Sequence, residues 1–121
     1  MDESNGITPK HSGDTSRHKY FIVLGFDNAG NVYGGVIMNS EINKFMPPAI
    51  VQLQIPVQRV RYPFLMHDSY VNCAEIKEVN ISKFSEWKYL GKIERIDFDI
   101  ICEAVRKSPV VTKANLQRFG L

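Results

Sequence analysis

At 121 residues and 44% apolar content, the chain is long enough to bury roughly two-thirds of the surface its unfolded form exposes, so one domain without staples is expected. Fifteen Lys and Arg against 13 Asp and Glu leave a formal charge of +2, which alone does not mark a nucleic-acid binder, because phosphate attraction depends on clustered charge. The longest apolar run, 21–24, is far below the ~20 residues that cross a bilayer, which excludes a membrane-spanning helix.

Residues 1–16 are almost wholly polar, with a single Ile, and are expected to form a flexible tail ahead of one domain over 17–121. Residues 19–26, Lys-Tyr-Phe-Ile-Val-Leu-Gly-Phe, are β-branched and aromatic, which suits a strand buried on both faces. Asp27-Asn28-Ala29-Gly30-Asn31 then closes a hairpin, with Gly30 free to take positive φ. The second strand spans 32–38, and its Gly34 and Gly35 point to a bulge or a close backbone approach.

A polar loop over 39–48 ends in two prolines and leads to a third predicted strand over 49–55, where Ile50, Leu53 and Ile55 surround Gln52 and Gln54. Pro56 stops that strand or leaves it on an edge. After the basic stretch 58–62, residues 70–79 alternate imperfectly and read as one or two strands. Residues 93–107 place Phe98, Ile101, Cys102 and Val105 on one helical stripe, with Glu94, Asp97 and Asp99 early and Arg106 and Lys107 late, the order that the helix dipole favours. Pro109 ends that helix, and a short one follows from the N-cap Thr112 to Phe119, with Gly120 as its stop. Strands first and helices last give an α+β, mainly β fold: a small barrel or curled sheet with a C-terminal helix packed against it.

Cys73 and Cys102 lack the short paired spacing of a zinc or redox motif, and no signal peptide opens the sequence. They read as buried thiols of a cytoplasmic protein, with a disulfide as the alternative. No metal or cofactor motif appears.

The order of several segments resembles the PemK/MazF family of toxin-antitoxin ribonucleases. The stretch from Asp68-Ser69-Tyr70 through Lys77-Glu78-Val79-Asn80 is similar to the family's Asp-Ser, strand and Gln-Ile-Arg pattern. Leu90-Gly91-Lys92-Ile93 resembles the lead into its last long helix. Val36-Ile37-Met38-Asn39, followed by Phe45-x-Pro47-Pro48-Ala49-Ile50-Val51, resembles its second strand, loop and third strand. The resemblance implies an SH3-like barrel, a homodimer, metal-independent cleavage of single-stranded RNA, and an antitoxin protein that covers the substrate groove.

Such cleavage needs a base for the 2′-hydroxyl, an acid for the leaving oxygen and cations for the developing phosphorane charge. The family's Arg-Pro falls here on Val32 and Tyr33, and its strand-end hydroxyl on Ile55 or Pro56. In the branch with Arg and Asp around the strand cysteine, Asn72 and Ala74 flank Cys73 instead. The catalytic candidates are therefore others: His67 as acid or base, with Arg59 and Arg61 as phosphate holders sharing one strand face. Tyr62 and Phe64 offer stacking surfaces for unpaired bases. A solvated loop histidine and ordinary edge-strand protection account for the same letters. His67-Asp68-Ser69 is not a hydrolase triad, because successive residues on extended chain face opposite sides.

Candidate substrate-binding residues are Asn72 and Lys77, at family positions near the groove, and Arg17 and Lys19, in a basic cluster at the start of the first strand. Water-facing strand residues and a solvated domain boundary explain these equally well. Trp87, Phe84 and Tyr89 are expected to cap one end of the fold or to meet a second copy. Two functional classes remain: a metal-independent endoribonuclease toxin, and a non-catalytic module that binds nucleic acid or a protein segment. A purely structural interaction domain is a third.

Overall fold

The computed structural model describes residues 6–11, 18–42, 45–86 and 89–121, with backbone alone for 6–11, 18–19 and 84–86. Six strands form one antiparallel sheet in the order β4-β5-β3-β2-β1-β6, where β1 is Gly6–His11, β2 His18–Phe26, β3 Val32–Asn39, β4 Gln54–Val57, β5 Ser69–Asn80 and β6 Gly91–Lys92. A one-turn helix α1, Pro48–Val51, precedes β4, and a 3-10 helix, Ile81–Glu86, follows β5. Helices α2, Arg95–Lys107, and α3, Lys113–Arg118, close the chain.

Strand β2 is buried on both faces, as its run of apolar residues predicts: Phe21, Ile22, Val23 and Leu24 are all shielded. Alternation sends Ile22 and Leu24 to one face and Phe21 and Val23 to the other. The first face carries the main core, where Val36, Met38, Val71 and Cys73 lie in one cluster with Ile101, Cys102, Ala104 and Val105 of α2. The smaller second cluster joins Phe21 and Val23 to Tyr33, Ile37 and Val79. Ser108, just past α2, is buried and donates from Oγ to the Ala74 carbonyl at 2.7 Å, which pins the helix end to β5.

The hairpin turn forms as expected. Gly30 adopts φ 72°, and the Asp27 carboxylate accepts the N–H groups of Asn31 and Val32 at 2.8 and 3.2 Å. Residues 70–79 lie in one strand of 12 residues rather than two. Its pairing with β3 slips between Gly35 and Ile37, and that of β2 with β3 slips between Val23 and Gly25. These irregularities lie beside the paired glycines, where a Cβ on Gly35 would stand 2.1 Å from the Ile22 carbonyl oxygen.

Three expectations change. Composition predicts a tail through residue 16, but Gly6–His11 pairs with β2 on one side and β6 on the other, through backbone bonds that need little apolar content. Residues 49–55 are not one strand: Pro48 opens a helical turn at a position where its missing N–H costs nothing, and extended pairing begins only at Gln54. Pro56 lies in that strand, which is an edge of the sheet. The sheet also stays open rather than closing into a barrel, because its two edges are the four-residue β4 and the two-residue β6, the latter paired with β1.

Candidate functional site

The loop over 58–68, which holds the three catalytic candidates, leaves the edge strand β4 in a tight turn rather than continuing as a strand. The N–H of Arg61 donates to the Gln58 carbonyl at 3.1 Å, and that of Tyr62 donates to the carbonyls of Gln58 and Arg59 at 3.2 and 3.1 Å. Arg59 and Arg61 therefore do not share a strand face. Each guanidinium is engaged within the fold. Nε of Arg59 donates to the Leu65 carbonyl at 2.9 Å, while its backbone N–H donates to the Asp68 carboxylate at 2.8 Å. Arg61 reaches across to α2, donating to Asp97 at 3.0 Å and pairing closely with Glu94.

Tyr62 completes this junction. Its hydroxyl donates to the second oxygen of Asp97 and accepts the Glu94 N–H at 3.1 Å. Burial, then the bond and charge of Asp97, push its phenol well above the ordinary value of 10.0, and Arg61 only partly offsets this. Tyr62 is buried, and Phe64 is half-buried with its ring 6.0 Å from that of Tyr62, so neither offers the open face a stacked base requires. The loop exposes His67, Val60 at 81% and Met66 at 67%, along with Gln58, Pro63, Asp68 and the two arginines, whose guanidinium groups stay accessible while bonded to the fold.

The other candidates fall elsewhere. Asn72 stands opposite Gln54 in the β4–β5 pairing, and its Oδ1 accepts Gln54 Nε2 at 2.9 Å and the Ala74 N–H at 3.2 Å. That oxygen satisfies a buried amide. Lys77 pairs with Glu75 on its own strand at 2.9 Å. Arg17 and Trp87 lie outside the described residues, as do the side chains of Lys19 and Phe84, while Tyr89 is exposed.

Both cysteines are free and buried. Desolvation, with a smaller contribution from Cys102, pushes the Cys73 thiol up to about 12, and burial also raises Cys102. Neither is poised as a nucleophile at neutral pH. Among the described residues, no three His, Cys, Asp or Glu side chains are grouped to hold a metal ion.

A second cluster lies at the turn end of the β2–β3 hairpin, where the C-terminal segment packs. Phe119 is buried against Gly25 and Gly34. Arg118 pairs with Glu78 and lies 5.1 Å above the Phe119 ring. Burial opposes ionisation of Asp27, yet N–H donation from Asn31 and Val32, with Arg118 nearby, keeps its carboxyl below the usual 3.8. The glycines were visible in sequence, but their distant aromatic partner was not. Compared with models of known protein families and with curated proteins, the chain matches none.

Proposed function

We propose that this protein is a non-catalytic interaction module, cytoplasmic, whose 58–68 loop meets a protein segment. One observation carries the reading: the loop's cations are tied to the fold while its apolar tips are free of it. Arg59 braces the loop through Leu65 and Asp68, and Arg61 joins it to α2, whereas Val60 and Met66 face solvent. A braced loop that presents apolar side chains loses little conformational entropy on binding. Exposed apolar tips suit a protein surface, and the arginines on either side of Val60 already have acceptors within the fold. Kinship with PemK/MazF proteins, as an open relative of the SH3-like barrel, rests on the resemblance of residues 36–51, 68–80 and 90–93. The test is chemical cross-linking in the native host with wild type and Val60→Glu/Met66→Glu. One dominant cross-linked protein, lost in the double variant, is expected; the same cross-links in both would overturn the reading.

A second reading, a metal-independent endoribonuclease toxin restrained by an antitoxin and acting as a homodimer, is favoured by exposed His67 in the same loop. Growth arrest on expression in a bacterial host, relieved by His67→Ala, would support it.

A further inference from the structure

We infer that two prolines, Pro9 and Pro56, close both edges of the sheet to an added strand, so that this chain meets other proteins, copies of itself included, through side-chain surfaces alone. The sheet is open, and its order ends in β4 on one side and in β1 with the short β6 on the other. An open edge offers a row of unpaired backbone donors and acceptors to any extended chain, unless something interrupts the row.

On β4 the alternation of backbone bonds decides which residues form that row. The Cys73 N–H donates to the Leu53 carbonyl at 3.0 Å, so Leu53, and with it Ile55 and Val57, turn their backbone groups toward β5. Gln54 and Pro56 turn theirs outward. Gln54 offers a donor and an acceptor there, whereas Pro56 offers an acceptor only, and its ring stands where an incoming carbonyl would seek an N–H. Pro56 is exposed, which leaves the ring itself as the barrier. If a second copy added its β4 in a two-fold antiparallel pairing, Gln54 against Pro56 of that copy, half of the ladder bonds would be missing.

The same device stands on the other edge. The β1–β2 register runs unbroken from Ile7 opposite Ile22 to His11 opposite His18. A proline on the bonded side would interrupt it, so the backbone of Pro9 turns outward, as does that of Ile7. Strand β6 takes up the Ile7 position through Gly91 and reaches no further along β1. The next outward position is Pro9, which has no N–H to give, and this accounts for a strand of only two residues. Among the described residues, the two prolines that lie in strands thus both fall on the rows an added chain would use. Edge closure goes beyond the loop reading and does not depend on it.

The test compares the full wild-type chain with Pro56→Thr, Pro56→Ala and the double variant Pro9→Thr/Pro56→Thr, by sedimentation equilibrium over a wide concentration range and by amide exchange at Gln54. Restoring the N–H should make Pro56→Thr associate with itself at least about tenfold more tightly than wild type. Pro56→Ala should also associate more tightly than wild type, because it returns the donor without a β-branched side chain. The double variant, with both edges free, should form open-ended chains of copies. The Gln54 amide, which has no sheet partner in the single chain, should exchange at least about tenfold more slowly in the associated variants. Equal masses for wild type and all three variants at every concentration would overturn the inference. So would a wild-type chain that associates and protects the Gln54 amide, because the edge would then accept a strand with Pro56 in place.

Discussion

Tyr62 and Asp97 share a hydrogen bond that fastens the 58–68 loop to the first turn of α2, and the same phenolic oxygen takes up the Glu94 N–H at the helix start. One buried oxygen thus serves the Glu94 N–H and the Asp97 oxygen that Arg61 does not take.

Tyr62→Phe should therefore cost about 1–3 kcal/mol, because the ring volume is kept while the Glu94 N–H and one Asp97 oxygen lose their partner, Asp97 keeping its ion pair with Arg61. A denaturant midpoint that falls with an unchanged slope is the expected result. The pH dependence follows from the raised phenol. The folded state holds this proton more tightly than the unfolded chain, so the stabilisation is complete below about pH 10 and declines as pH rises further. The difference in stability between wild type and Tyr62→Phe should shrink above that pH, which paired denaturation curves at pH 8 and 11 would show.

Asn72→Ala should destabilise the protein by about 1–3 kcal/mol, because Asn72 Oδ1 takes one N–H of the buried Gln54 amide, whose other acceptor is the Ile50 carbonyl, and also the Ala74 N–H. A surface residue that served only to touch RNA would cost within about 0.5 kcal/mol. Thermal unfolding of the variant separates these roles.

Gly35→Ala places a methyl group 2.1 Å from the Ile22 carbonyl oxygen of the neighbouring strand, so the strands must part, at a cost of about 1–3 kcal/mol. Gly30→Ala meets nothing within 4 Å, but it must adopt φ 72°, which costs roughly 1–2 kcal/mol. The two variants should both melt lower for different reasons. Gly30→Asn should recover part of the loss, because Asn tolerates this backbone region, whereas Gly35→Asn should not.

Neither thiol should react with a disulfide reagent at pH 8 in the folded protein, since both are buried and burial raises both thiols, Cys73 to about 12. Both should react on unfolding. Prompt labelling of one thiol under native conditions would show that the interface between β5 and α2 opens readily.

Elements governed by local chemistry were legible in the sequence. The Gly30 turn, the two-faced burial of 21–24, the stripe of α2 and the Thr112 cap, whose Oγ1 accepts the Asn115 N–H at 3.1 Å, each follow from residues close together in the chain. In segment 49–55 Ile50 and Leu53 fit either period, and Pro48 tips the chain toward a helical turn. Strand β1 has too little apolar content to announce itself and forms because both neighbouring strands offer backbone partners. In the candidate site, the positions of Arg59, Arg61 and His67 in one loop were legible. That Asp97 and Glu94 would engage Arg61 from 36 and 33 residues away, or that Phe119 would settle on Gly34, depends on tertiary packing that spacing does not encode.

The central claim, that the loop's guanidinium groups serve the fold rather than phosphate chemistry, is tested most directly by end-mapping a pool of single-stranded RNA after incubation with purified protein in a chelator. Unbroken RNA is expected from the wild-type chain. New 2′,3′-cyclic phosphate ends that disappear with His67→Ala or Arg61→Ala would contradict it.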